Sequence, residues 1–144
     1  MRYLSFSHIG LTCNDPLAVE RFYTTHFGFR RARVYEPGPN QVVQITTGQV
    51  SLELFPASAA LRSPKPGGAG AEYPGWRHIA FIVADLDAAL ESLGGEAKIT
   101  LGPLEMGQYI RGMRVCWIAD PEGNVIELNE GYVDEEDPPA LPSA

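Results

Sequence analysis

Cysteine is scarce in this chain of 144 residues: Cys13 and Cys116 are the only two, with no pair at the spacing of a redox or zinc motif. A disulfide framework is therefore excluded, and a thiolate metal site with it. Both stand in short apolar runs, where a buried inert thiol is expected. Positive charge is also short, with 11 Lys and Arg against 18 Asp and Glu, a formal net charge of −7. That balance argues against nucleic acid and anionic membrane as partners. No apolar stretch reaches membrane-spanning length, and MRYLSFSHIGL has no basic segment ahead of an apolar run. No membrane span and no signal peptide are expected, and a reducing, cytoplasmic setting fits best.

What remains is a globular chain, 44% hydrophobic, long enough for one domain or for two small fused modules. The acidic, Pro-rich end over residues 134–144, DEEDPPALPSA, reads as a disordered tail on a single domain spanning residues 1–133. SPKPGGAGAEYPG punctuates the middle and gives a linker over residues 58–75, between module one (5–57) and module two (76–131). The halves share a grammar. Ile9 to Cys13 reads as a strand, Asn14 and Asp15 offer helix caps, and Pro16 suits the first helical turn. Val19, Phe22, Tyr23 and Phe27 then mark a buried helix face that ends at Gly28. Seventy residues on, Ile79 to Val83, the cap Asp85, the stripe Leu86, Ala89, Leu90 and Leu93, and the stop Gly94–Gly95 repeat the pattern. Strand signals follow at Arg31 to Tyr35, Val42 to Thr46 and Val50 to Phe55, and again at Ala97 to Leu101, Arg114 to Ala119 and Asn124 to Asn129. DPEG at 120–123 joins the last two as a hairpin. The fold expected is α+β, two βαβββ modules.

The repeat matters because it duplicates a pair of side chains. His8 and His78 open the first strand of each half, and Glu53 and Glu127 sit in the last. In Val50 to Phe55 the aliphatics Val50, Leu52 and Leu54 share one face and Glu53 takes the other; Ile126 and Leu128 oppose Glu127 in the same way. Ile9 and Leu11 oppose His8, and Ile79, Phe81 and Val83 oppose His78. With helices covering the aliphatic faces, all four groups belong to the uncovered faces, where a concave cleft is expected. Two imidazoles and two carboxylates suit a divalent ion such as Ni, Co, Zn, Mn or Fe. Such an ion polarises a carbonyl, and a carboxylate beside it moves a proton on the adjacent carbon.

HIGLTCNDPLAVERFYTTHFGF, LELF, RHIAFIVADLDAALESL and ADPEGNVIELNE resemble the vicinal oxygen chelate superfamily, which includes glyoxalase I, methylmalonyl-CoA epimerase, extradiol dioxygenases, and fosfomycin and bleomycin resistance proteins. The resemblance covers about residues 5 to 130. It implies a glyoxalase/bleomycin-resistance-like fold, paired modules forming a U-shaped incomplete barrel around one metal, with His8, Glu53, His78 and Glu127 as ligands. By the likeness to bacterial glyoxalase I, Glu127 is the proton-transfer base and Glu53 its pseudo-symmetric counterpart. Val115 and Trp117 match positions that wall the substrate's apolar pocket, although Trp117 reads equally as core. Thr12 and Ala57 stand where glyoxalase I carries the Arg and Asn that grip glutathione, which argues against glutathione here.

The expectation is a metal-dependent glyoxalase-like lyase or isomerase acting on a small carbonyl or vicinal-oxygen substrate, in a homodimer. The metal site lies either within one chain or across the dimer interface. The alternatives are an extradiol-type Fe(II) dioxygenase using His8, His78 and Glu127, and a non-catalytic drug-binding resistance protein. Other features read as structural. His26 is a surface or cap residue; Arg30, Arg31 and Arg33 make a solvated edge strand in preference to an anion site; Gly67, Gly68 and Gly70 lack the Lys-Ser/Thr of a phosphate loop.

Overall fold

A computed structural model describes residues 6–35, 38, 41–58, 67–70 and 76–139. Much of the 58–75 linker and the end of the tail, 140–144, lie outside the described residues; positions 134–139 are exposed and carry no helix or strand. The elements run β1 (Ile9–Cys13), α1 (Pro16–His26), β2 (Arg30–Val34), β3 (Val43–Thr46), β4 (Ser51–Pro56), β5 (Ile79–Ile82), α2 (Leu86–Leu93), a short 3-10 turn (Gly94–Glu96), β6 (Lys98–Glu105), β7 (Arg114–Ala119) and β8 (Val125–Glu130). This is βαβββ twice.

Both helices start where their caps require. The Asp15 carboxylate accepts from the Ala18 amide at 3.0 Å and Asp85 from the Ala88 amide at 2.9 Å, each filling an otherwise unpaired donor of the first turn. α1 stops at Gly28, whose φ of +67° only glycine adopts without strain. β6 runs on past Leu101 to Glu105, further than its sequence suggested. Gly102 and Pro103 read as breakers, but the strand absorbs them as an irregularity in its pairing with β7. Gly102 has a φ of +95°, and a Cβ there would meet the Val115 carbonyl at 3.0 Å, so the close approach needs glycine.

Each module builds its own four-stranded sheet, in the order β1-β4-β3-β2 and β5-β8-β7-β6. The first and last strands of a module pair in parallel and the others antiparallel, so that among the described residues β1 and β2 edge one sheet and β5 and β6 the other. The helix-covered sides of both sheets merge into one core. Val19, Phe22, Tyr23, Leu52 and Leu54 of module one belong to the same buried cluster as Leu86, Cys116, Ile118, Ile126 and Leu128 of module two. Phe27 meets Phe81 across the junction with ring centroids 4.7 Å apart.

Polar contacts bolt this arrangement. Asp120, 1% exposed, accepts from the Glu122 and Asn124 amides, from the Asn124 side chain, and from the Tyr23 hydroxyl of α1 at 3.3 Å. Glu122 in turn accepts from the Asp15 amide at 2.7 Å and from Asn14 at 2.8 Å, placing its negative charge at the start of α1. His26, expected as a surface or cap residue, lies in the last turn of α1 with a side chain only 9% exposed; it packs on Phe22 with Nε2 3.3 Å from Glu96 of module two. A helix end is usually solvated, but here the second module covers it.

Candidate metal centre

Strand parity places the four candidate ligands as expected on the sheet faces turned away from the shared core. Glu53 sits between the buried Leu52 and Leu54, and Glu127 between the buried Ile126 and Leu128. The structure gathers them in twos. His8 Nε2 lies 3.2 Å from Glu53 Oε2, and His78 Nε2 lies 3.1 Å from Glu127 Oε2. Among the described residues, no three His, Cys, Asp or Glu side chains gather where one ion could take them all.

The second nitrogen of each ring has a partner. His78 Nδ1 lies 3.1 Å from the carbonyl of Ala69, which can only accept, so this nitrogen carries the proton. Nε2 therefore meets the Glu127 carboxylate either through a second proton or through a cation between them. His8 Nδ1 is held by the Ser7 hydroxyl at 2.9 Å. Engaging Nδ1 so that Nε2 is presented to a ligand position is the usual outer support of a metal-binding imidazole. Asn129, 5% exposed, donates from Nδ2 to Glu127 Oε1 at 3.2 Å and thereby holds one oxygen while the other faces His78. The donor types, two nitrogens and two oxygens, suit a divalent ion, and three of the four groups have supports behind them. The described residues bring the donors together one nitrogen with one oxygen at a time.

Sequence reasoning missed those supports. Asn129 could have been found from its offset of two from Glu127, which puts both on one strand face. Ser7 could have been found from adjacency. The Ala69 carbonyl leaves no sequence signal, and it assigns the glycine-rich stretch 67–70 a role beside His78.

The two faces differ in their lining. Next to Glu127 across the strands stands Trp117, then Leu101; next to Glu53 stand Gln44, then Arg33. Val115 and Trp117 share the Glu127 face, packed with Met113, Val125, Met106 and Ile110. Trp117 is thus part of a small apolar cluster on the ligand side of the sheet, its ring centroid 6.4 Å from that of His78. Cavities of about 470 Å³ and 360 Å³ flank β5, the first along Ile9, Leu11, Trp76, His78 and Val125, the second along Ile82, Met113, Glu127 and Asn129. Of the glutathione-grip positions, Thr12 is exposed on β1, and Ala57 donates its amide to the Cys13 carbonyl.

Matched βαβββ halves, each presenting a His–Glu pair on the open face of its sheet, define a paired-module protein. The chain belongs to the Glyoxalase/Bleomycin resistance protein/Dioxygenase superfamily, whose family model matches residues 5–128. It is 30% identical over 129 residues to the uncharacterised protein YwkD of Bacillus subtilis strain 168, covering 88% of this chain and 96% of that one. Its fold is similar to that of the glyoxalase family protein from Enterococcus faecalis (TM-score 0.67, 23% identity, 90% of this chain and all of that one). It is also similar to that of the fosfomycin resistance protein FosX from Listeria monocytogenes, solved with Mn(II) and sulfate (TM-score 0.62, 14% identity, 92% and 96%).

Proposed function

We propose that the protein is a metal-dependent lyase or isomerase acting on a small carbonyl or vicinal-oxygen substrate, with His8, Glu53, His78 and Glu127 as the ligand set. The observation that carries this reading is the matched geometry of the two pairs: each imidazole turns Nε2 to a carboxylate while Nδ1 is engaged elsewhere. The Mn(II) bound to FosX, a protein of the same fold, is consistent with a divalent ion of this kind.

The pairs occupy faces turned away from a shared core, and among the described residues each pair stands apart from the other. We therefore place the complete site between two copies, the β1 edge of one beside the β5 edge of the other. His8 and Glu53 then come from one copy, and His78 and Glu127 from its partner. Among the described residues both edges are unpaired, and Ile82 on β5 is 69% exposed, an apolar side chain on a strand edge that calls for cover.

When bound, the ion supplies Lewis acidity to a substrate carbonyl. The protein supplies the rest. With a 2-hydroxy carbonyl substrate, Glu127, its Oε1 held by Asn129 and its Oε2 released from the ion, would take the proton from the hydroxyl-bearing carbon and return it to the former carbonyl carbon, while the hydroxyl proton passes to the former carbonyl oxygen. Glu53 is the counterpart from module one. Val115 and Trp117, buried on the same sheet face, give the carboxylate an apolar flank.

This reading predicts about one divalent ion per chain in the purified protein, one site for each copy of a symmetric dimer. Incubation with candidate 2-oxo or 2-hydroxy carbonyl compounds in deuterated water should exchange the adjacent C–H only while metal is present. Protein free of metal whose stability is untouched by chelator would contradict it.

A further inference from the structure

The arginines of β2 do not form a uniform solvated edge. Arg31 opposes the buried Ile45 and faces the helix side, where its guanidinium is bidentate on Glu20 of α1, with Nη2 to Oε2 at 2.7 Å. Arg30 and Arg33 face the other way. Arg33 opposes Gln44, Gln44 opposes Glu53, and Glu53 opposes Gly10, one unbroken row across the ligand face of the sheet. Arg30 opposes Thr46 on the same face.

That orientation depends on a bulge. Strict alternation from Arg31 would point Ala32 at the ligand face and Arg33 at the core side. The register shifts between Arg31 and Arg33, so the extra residue is absorbed and Arg33 turns to the Glu53 side. Protection of an exposed edge accounts for a charge on β2, but not for a bulge that re-aims one. Arg33 is then steadied: its guanidinium carbon lies 5.8 Å from the centre of the Tyr35 ring, and the Tyr35 hydroxyl donates to Gln44 Oε1 at 2.9 Å. Among the described residues, neither Arg30 nor Arg33 has an acidic partner at ion-pair distance. Glu53 is the one carboxylate at the strand positions of this face. A chain of net charge −7 thus carries a locally cationic wall beside half of its ligand set.

We infer that Arg33, assisted by Arg30, binds an anionic group of the substrate, so that the substrate class is a small organic acid. Its oxygen pair sits at the four-residue centre, and its carboxylate is directed along the Glu53–Gln44–Arg33 row. Glu53 and Arg33 are two strands apart, ~10 Å, a span shared between the arginine side chain and a substrate of a few carbons. The inference rests on the metal-centre reading above and adds the chemistry of the ligand.

The test uses full-length protein loaded with Co²⁺ and titrated by visible absorption. Acetohydroxamate, a neutral oxygen chelator, is compared with the monohydroxamic acid of succinate, which adds a carboxylate. Wild type should prefer the acidic probe about tenfold, as one bidentate Arg–carboxylate contact allows. Arg33→Ala should erase most of that preference and leave the acetohydroxamate titration and the cobalt spectrum unchanged, while Arg33→Lys retains part of it. Equal affinity for the two probes in wild type would overturn the proposal. So would a preference that survives in the Arg30→Ala, Arg33→Ala double variant. A protein that takes up no Co²⁺ would overturn the metal reading itself and this proposal with it, a failure told apart by the missing absorption band.

Discussion

The two modules share one fold and each carries a His–Glu pair, yet the positions beside those pairs have opposite chemistry. In one row across each sheet, Gly10–Glu53–Gln44–Arg33 of module one matches Ala80–Glu127–Trp117–Leu101 of module two. Module one is polar and cationic beyond its carboxylate; module two is apolar. The proposed site, assembled from one of each, would have a charged wall and a greasy wall, which suits the proposed organic acid. The carboxylates differ too. Glu127 has Asn129 behind it, whereas the equivalent offset from Glu53 is Phe55, which has no donor to give.

The hairpin turns show the same divergence, and they are the place to break the comparison hardest. The turn of module two is anchored to α1 through the buried Asp120, while the turn of module one, Thr47 to Gln49, is exposed and held by threonine hydroxyls. Asp120→Ala removes an acceptor from several buried donors and should lower the unfolding free energy by about 3 kcal/mol or more. Thr47→Ala, at the matching hairpin, should lose less than about 1 kcal/mol. Denaturant unfolding of both variants checks the contrast.

The same lock has a pH signature. Burial first, and the adjacent Asp120 carboxylate second, hold the Tyr23 hydroxyl well above the usual tyrosine range. Below the unfolded value of about 10 both states keep the proton and the contribution is whole. As pH rises further the unfolded chain ionises first, so stability falls. Thermal melts from pH 8 to 11 should show this decline in wild type and a shallower one in Tyr23→Phe.

The smallest effect separates the supports of the two imidazoles. His78 is oriented by the Ala69 carbonyl, which no side-chain substitution removes; His8 depends on the Ser7 hydroxyl. Ser7→Ala should weaken metal binding about tenfold, the low end of what an outer support contributes. Competition with a chromogenic chelator measures it.

The repeat made most of the fold legible. Asp15 and Asp85 each open a helix with a side-chain cap, and alternation around Glu53 and Glu127 placed both carboxylates opposite the aliphatics. Such signals are local, because caps and strand parity depend on near neighbours. How the modules sit against each other depends on contacts such as Tyr23–Asp120, His26–Glu96 and Phe27–Phe81, between residues with no sequence relation. The orientation of Arg33 was hidden for a different reason: a bulge inverts parity at one residue and leaves the composition of the strand untouched. The continuation of β6 through Gly102 and Pro103 was concealed in the same way.

The central claim, that a complete centre needs the module-one pair of one copy and the module-two pair of another, is tested most directly by complementation. A His8→Ala, Glu53→Ala variant and a His78→Ala, Glu127→Ala variant should each bind no metal tightly. Mixed in equal amounts and allowed to exchange subunits, they should recover about one ion per four chains, because half the dimers then hold one intact site. A mixture that binds no more metal than its two components separately would contradict the account.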